Sequence, residues 1–416
     1  MKTYQEFYGC TANKSDACLV RGILAEKDYE FVDDISDSEL VIIHTCTVIS
    51  TTEQRMLSRL KCFKEKKKKV VVSGCMASVQ KDLIKEILPD ALILPPRFSY
   101  QINELLQGKI KSFTDKDKTL FPKQYIDTNA PITIAEGCNF SCTYCITSLA
   151  RGKLKSYPIS QILQNIQSAL DQGCKEIQLT AQDTSSYGVD KKTNLGHLLR
   201  DIGNISGEFR VRVGMMNPFT CLKNIDSIIR GYSDSRIYKF LHLPVQSGED
   251  LILKKMNRKY NSDDFINIIE KFREKYHEIT ISTDVIVGFP TETDEQFNKT
   301  IELLKKIKPD ITNITRFSAR PYTIAKKLKG RLRTETVKKR SKILSGICNE
   351  ISKENNKRHI GKKYNVLVTE KGKNKTFVGR SENYKPVVIR EKVNIGEFIP
   401  VEIIDASTTY LVASII

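Results

Sequence analysis

Two runs near the start of the chain, "LVIIHTC" (Leu40–Cys46) and "KVVVSGC" (Lys69–Cys75), are continuously apolar and rich in β-branched residues. Such runs suit parallel strands covered on both faces, whereas a half-exposed strand alternates apolar with polar. They lie among longer amphipathic stretches, so residues 1–110 are expected to form an open parallel α/β sheet domain. The polar, Lys- and Asp-rich segment 111–130 reads as a linker. From 131 to 355, six strand-like runs, "ITIAEG", "EIQLTAQ", "FRVRVGM", "YKFLHLPV", "ITISTDVIVGF" and "ITNITRFSAR", alternate with helix-like segments. One of these, "PISQILQNIQSALDQG", has Pro158 early and Gly173 at its stop. Six βα units predict a partial (βα)6 barrel with its chemistry on the loops that follow the strands. Residues 356–416 change character: short β-rich runs separated by Gly, Asn and Lys predict a small, OB-like β-barrel. The whole chain is therefore α/β with an added β module.

Composition narrows the setting. The 416 residues allow two to four domains, and 40% apolar content is enough for real cores. No apolar run approaches the ~18 residues of a membrane span, and "MKTYQEFYGC" has no signal-peptide core, so a soluble, cytoplasmic protein is expected. Eleven cysteines in a reducing compartment point to metal or redox chemistry rather than disulfides. Lys and Arg exceed Asp and Glu by 67 − 49 = 18, a surface that attracts polyanions. Runs such as "KEKKKKV" also make ordinary solvated faces, so charge alone leaves nucleic-acid binding open.

The stretch "AEGCNFSCTYCITSLARG" places Cys138, Cys142 and Cys145 within eight residues, directly after the first barrel strand. Three cysteines are an odd number for disulfides and one short of a tetrahedral metal site. Thiolates are the usual ligands of iron–sulfur clusters, and a four-iron cubane on three cysteines keeps one iron open. Zinc is less suited, because no histidine lies near in sequence as a fourth ligand, although a distant one is compatible. The C-x3-C-x2-C spacing, with the aromatic Tyr144 before the last cysteine, resembles the radical S-adenosylmethionine superfamily. That resemblance implies a [4Fe–4S] cluster whose open iron chelates S-adenosylmethionine, and whose electron cleaves the sulfonium to give a 5′-deoxyadenosyl radical.

A second trio lies upstream. Cys10 ends "YQEFYGC", Cys46 ends "LVIIHTC" and Cys75 ends "VVVSGC", each after an apparent buried strand. Ligands bind at the carboxyl ends of strands in open α/β sheets, so one sheet can gather all three; the plainer reading is three buried apolar cysteines. Together with the barrel motif, "FYGCTANKSDA", "IHTCTV" and "SGCMA" resemble the methylthiotransferases over nearly the whole chain. The resemblance implies an auxiliary [4Fe–4S] cluster on Cys10, Cys46 and Cys75, a C-terminal TRAM module that engages RNA, and replacement of C–H by C–S–CH3. Cys18, Cys62, Cys174, Cys221 and Cys348 match no motif and read as packing or surface residues.

Polar residues at later strand ends, Gln182, Asp183, His242, Gln246, Ser247 and Gly288, are candidates for cofactor contacts along with Tyr144; each has an equally plausible structural role. Arg151, close after the cysteine loop, is a candidate for pairing with a carboxylate or phosphate, and Arg320, Lys363 and Arg380 are further candidates for substrate contact. The segments "ARGKLKSYP", "VGMMNP" and "FLHLPVQSGEDLILKKMNRKY" are most similar to the archaeal and eukaryotic branch acting on threonylcarbamoyladenosine 37 of tRNA. "AQDTSSYG" is similar to the RimO branch, which modifies a ribosomal-protein aspartate. The end "TTYLVASII" is too short for the membrane anchor of animal members. The partners implied are a tRNA anticodon stem-loop, an electron donor such as a ferredoxin or flavodoxin, and a sulfur donor, with no membrane. A non-catalytic iron–sulfur RNA-binding redox sensor and a zinc-binding RNA chaperone are the readings from other classes.

Overall fold

In the computed structural model, which describes residues 1–416, five parallel strands form the first sheet. They are β1 (Lys2–Phe7), β2 (Glu30–Val32), β3 (Leu40–Thr45), β4 (Lys69–Gly74) and β5 (Leu92–Leu94), in the order β2-β1-β3-β4-β5. The unbroken run in β3 is explained by helices on both faces. Val41 and Ile43 pack with Met56, Leu60 and Phe63 of helix α2 (Ser50–Glu65). Leu40 and Ile42 pack with Leu19, Val20 and Leu24 of helix α1 (Thr11–Ala25). Each such side chain contributes about 1.5–3 kcal/mol on burial.

The central barrel uses β6 (Asn129–Thr133), then β7 (Ala135–Glu136) and β8 (Lys155–Ser156) as a small antiparallel pair outside the barrel wall. The wall continues with β9 (Glu176–Thr180), β10 (Arg210–Val213), β11 (Phe240–His242), β12 (Thr280–Val287) and β13 (Ile311–Arg316). Two three-stranded parallel sheets, β10-β9-β6 and β11-β12-β13, are joined by a bridge between Val211 and Ile237, and by the Met216 amide donating to the His242 carbonyl at 2.9 Å. The six strands thus form an open barrel, as expected, with β6 and β13 at its edges. Alternation within β10 turns Val211 and Val213 into the core under the outer helices.

The N-terminal domain is fastened along the β6 edge. Ser15 of α1 accepts a hydrogen bond from Thr133 at 2.8 Å, and Lys14 reaches Asn129 and Asp127. Helix Thr334–Lys357 packs on the other edge through Leu344 and Cys348.

The C-terminal module is a closed barrel, β14-β15-β16-β18-β17, built from β14 (Lys363–Lys371), β15 (Phe377–Arg380), β16 (Pro386–Ile389), β17 (Phe398–Ala406) and β18 (Leu411–Ile415). Gly379 permits a close strand approach, since a Cβ there would lie 2.7 Å from the Leu367 carbonyl oxygen. This module closes the strand-start end of the central barrel. Tyr384 inserts between Tyr238 and Phe240, with ring centroids 4.7 and 4.9 Å apart, and donates to Glu176 at 3.2 Å. Lys385 pairs with Asp310 at 2.6 Å. No helix is long and apolar enough to cross a membrane.

Candidate active site

The loop carrying Cys138, Cys142 and Cys145 leaves β7 and is gripped from two sides. Inside, Gln182 accepts the Gly137 amide at 2.6 Å, and the Cys138 amide donates to the Gly152 carbonyl at 3.0 Å. Gly137 has φ +80° and lies so close to Lys153 that any Cβ would collide with its carbonyl oxygen. Outside, the turn after helix Asp250–Lys255 clamps the loop. Asn257 donates to the Ser141 carbonyl at 2.9 Å, and Thr143 bonds the Met256 and Lys255 carbonyls at 3.1 and 3.0 Å. Tyr144 packs into the apolar cluster of Ile252, Met256, Phe289 and Ala325.

Arg258, in the same turn, donates to the Cys142 sulfur at 3.3 Å, while its Nε is fixed by the Tyr260 hydroxyl at 2.9 Å. The Phe140 amide donates to the Cys138 sulfur at 3.4 Å. Burial pushes the Cys138 thiol up to about 12. Burial also raises Cys142, against the pull of Arg258. Iron binding would require these thiols to lose their protons, and the donors aimed at the Cys142 and Cys138 sulfurs would stabilise the resulting thiolates.

The upstream trio is assembled by strand register. Phe7 pairs with His44 and Thr45 with Gly74, so Cys10, Cys46 and Cys75 follow three adjacent parallel strands, β1, β3 and β4. Cys10 is the N-cap of α1, and Cys75 opens helix α3 (Cys75–Val79). Gly9, at φ +98°, is so close that a Cβ would lie 2.8 Å from the Cys46 Cβ and 3.1 Å from its sulfur. Cys10 is exposed, while burial pushes Cys75 up to about 12.

No group of three or more His, Cys, Asp or Glu side chains converges tightly enough to hold a single metal ion. Three thiols on one loop, with the Arg258 guanidinium aimed at the Cys142 sulfur and the Phe140 amide at the Cys138 sulfur, are the kind of donor set that a cubane with one open iron takes.

Between the trios lies a buried charge network that corrects the expectation for Arg151. Its guanidinium, 1% exposed, pairs with Glu136 and Asp16, both at 2.8 Å, and donates to Asn13 at 2.7 Å. Lys118 pairs with the same two carboxylates at 2.7 and 2.8 Å. Two cations and two anions pair with one another, so Arg151 ties the barrel to the N-terminal domain, and its charge also bears on the buried Cys75 thiol. Asn13 extends the tie by donating to the carbonyls of Tyr8 and Thr45, the approaches to Cys10 and Cys46.

Five other candidates make structural contacts or lie at the closed end of the barrel. Arg320 is buried against Glu53 and Thr47, a second domain tie beside Cys46. Arg380 lies 4.9 Å from the Tyr384 ring at the closed end of the barrel, and Lys363 is exposed near that end, next to the Lys362–Glu278 pair. Asp183 spends both oxygens inward, on Ser185, Ser186, Asn217 and Thr220, because it caps a short 3-10 turn. Ser247 is buried, and its oxygen accepts the Glu249 amide at 3.2 Å.

Others stay at the lumen or rim. His242 bonds Asp284 at 3.1 Å and Asn313 donates to the same oxygen at 2.8 Å. Burial opposes ionisation of Asp284, but these hydrogen bonds outweigh it and hold the carboxyl below its usual range. Gln246, at φ 70°, bonds β12 through its backbone, and Gly288, at φ +79°, is pressed against Val337. Sequence reading did not single out Arg258, Asp284, Asn313 or the carboxylates Asp16 and Glu136, although Arg258, Asp16 and Glu136 lie within the motifs "KKMNRKY", "FYGCTANKSDA" and "AEGCNFSCTYC".

With this geometry in place, three family models match in order: the uncharacterized protein family UPF0004 over 2–94, the radical SAM superfamily over 132–304 and the TRAM domain over 357–416. A probable threonylcarbamoyladenosine tRNA methylthiotransferase of Archaeoglobus fulgidus is 41% identical over 100% of this chain and 99% of that protein. The human threonylcarbamoyladenosine tRNA methylthiotransferase is 32% identical over 99% of this chain and 73% of its own length. A tRNA-2-methylthio-N(6)-dimethylallyladenosine synthase of Acetivibrio thermocellus is 34% identical over 98% of this chain and 90% of that protein. Among solved structures, the radical S-adenosylmethionine methyltransferase TsrM of Kitasatospora setae shares the fold, with a TM-score of 0.57 at 12% identity over 78% of this chain and 74% of that one. The chain belongs to the radical S-adenosylmethionine tRNA methylthiotransferase family.

Proposed function

We propose that the protein converts N6-threonylcarbamoyladenosine at position 37 of tRNA to its 2-methylthio derivative. The observation that carries this reading is the pairing of two cysteine trios, one on a barrel loop and one at three strand ends, in a chain aligned end to end with threonylcarbamoyladenosine tRNA methylthiotransferases. Membership implies S-adenosylmethionine and two [4Fe–4S] clusters. Cys138, Cys142 and Cys145 would hold the first cluster; Cys10, Cys46 and Cys75 the second. Bound there, the first cluster would supply the electron for cleaving S-adenosylmethionine, and the second would offer an open iron for the sulfur to be transferred.

The protein's own residues hold and insulate these steps. Gln182 and the Asn257–Arg258 turn fix the loop, and Arg258 places positive charge on the Cys142 sulfur. Below them, His242, Asp284 and Asn313 present a fixed polar layer to whatever enters the lumen. Tyr384 stops the far end against water. The reaction also consumes a sulfur atom and low-potential electrons, so a sulfur donor and a ferredoxin- or flavodoxin-like reductant complete the system, working in the cytoplasm where tRNA is modified.

The test is anaerobic reconstitution with iron and sulfide, then S-adenosylmethionine, reductant and tRNA carrying either threonylcarbamoyladenosine or isopentenyladenosine. Mass spectrometry of the digested nucleosides is expected to find the methylthio group on the threonylcarbamoyl nucleoside alone. Formation of 5′-deoxyadenosine with neither tRNA altered would reject this substrate.

A further inference from the structure

The strongest unassigned feature is electrostatic. Between Arg316, at the end of β13, and Lys342, the chain holds eleven Lys and Arg residues and one acid, Glu335. Two of those cations are buried and neutralised, Arg320 by Glu53 and Arg340 by Glu292 and Asp294. Arg316, Arg331 and Lys338 are exposed, form no ion pair and surround a cavity of about 280 Å³ that no acidic residue lines. The remaining wall includes Gly288, Phe317 and Thr334. Thr334 is the first residue of the 24-residue helix Thr334–Lys357, so the positive end of a long helix dipole adds to the three side-chain charges.

We propose that this cavity clamps a backbone phosphate of the tRNA, on a nucleotide flanking the adenosine that enters the barrel; this rests on the tRNA reading above. Three unpaired cations would repel one another unless an anion joined them, and a cavity this size admits a phosphate with part of its ribose. Its position is equally specific. β13 is the open edge of the barrel, and Phe317 stacks edge-on against Phe289 at 5.3 Å, within the same apolar cluster as Tyr144 of the cysteine loop. One layer of side chains therefore separates the cavity from the loop. S-adenosylmethionine, with its cationic sulfonium, is a poor match for three cations. The C-terminal barrel, by contrast, is anchored at the opposite end of the strands, so it holds RNA away from the rim while this cavity registers the loop at the rim.

The test measures binding of cluster-loaded protein to threonylcarbamoyladenosine-containing tRNA across a potassium chloride series. An Arg316→Ala, Arg331→Ala, Lys338→Ala triple variant is expected to bind roughly tenfold more weakly or worse, with the slope of log K against log salt reduced by about one, as loss of a single phosphate contact requires. An Arg316→Lys, Arg331→Lys variant, which keeps the charge, should retain the wild-type slope. Wild-type affinity and slope in the alanine triple variant would overturn the proposal. So would loss of tRNA-independent S-adenosylmethionine cleavage with tRNA affinity intact, which would give the cavity to that cofactor. If the wild-type protein failed to bind this tRNA at all, the proposed substrate would fall first, and the phosphate clamp with it.

Discussion

The two cysteine trios reach comparable settings by opposite routes. Cys138, Cys142 and Cys145 are neighbours in sequence, and the fold's task is to hold a short loop still. It does so with a clamp from residues 255–258 and a strut from Gln182. Cys10, Cys46 and Cys75 are far apart in sequence, and become neighbours only after β1, β3 and β4 align in register. The local trio therefore depends on hydrogen bonds to one loop, and the distant trio on the integrity of a whole sheet. Arg151 joins the two, because its helix Thr147–Arg151 follows the cysteine loop while its guanidinium holds Asp16 and Asn13 of α1, the helix capped by Cys10.

The largest effect should come from the local trio. Cys142→Ala is expected to abolish both 5′-deoxyadenosine formation and methylthiolation, measured by chromatography and nucleoside mass spectrometry; residual wild-type rates would break the assignment of that loop. Next is the tie between the trios. Arg151→Met leaves Asp16 and Glu136 with one cation between them, and loss of one partner from such a buried set costs about 3–5 kcal/mol. Denaturant unfolding should register that loss, and iron content should fall chiefly at the distant trio.

Arg258→Leu sharpens the contrast from the other side. It removes the donor to the Cys142 sulfur without touching a ligand, so cluster assembly should survive while S-adenosylmethionine cleavage slows roughly 10–100-fold. A midpoint potential unchanged by this variant would reduce Arg258 to a packing role. The smallest effect concerns the metal-free protein near pH 8. Burial holds the Cys75 and Cys138 thiols at about 12, whereas Cys10 is exposed, so iodoacetamide should alkylate Cys10 well before either. Equal rates would mean that the Cys75 and Cys138 thiols are not shielded as described.

Much of this was legible in the chain. The unbroken run Leu40–Cys46 announced a two-sided parallel strand, and the placement of Cys10, Cys46 and Cys75 after three apparent strands announced their common edge of the sheet. The arginines were not legible. Arg151 carries the same charge whether it meets a substrate or Asp16, and Asp16 lies 135 residues away. Arg320 finds Glu53 across 267 residues. Asp183 and Ser247 illustrate the same limit at short range: a polar residue after a strand reads alike whether its oxygens cap the next turn or meet a ligand. The unpaired cations around the Phe317 cavity became visible only once their neighbours, Arg320 and Arg340, were seen to be neutralised.

The division of labour between the trios is most directly tested with Cys46→Ala, reconstituted anaerobically and supplied with S-adenosylmethionine, reductant and threonylcarbamoyladenosine-containing tRNA. 5′-Deoxyadenosine should still form while no 2-methylthio nucleoside appears, since the local trio remains whole and the distant one is broken. Methylthiolation at the wild-type rate would contradict two separate cluster sites, and so would loss of 5′-deoxyadenosine in a variant whose local cluster is intact by its electron paramagnetic resonance signal.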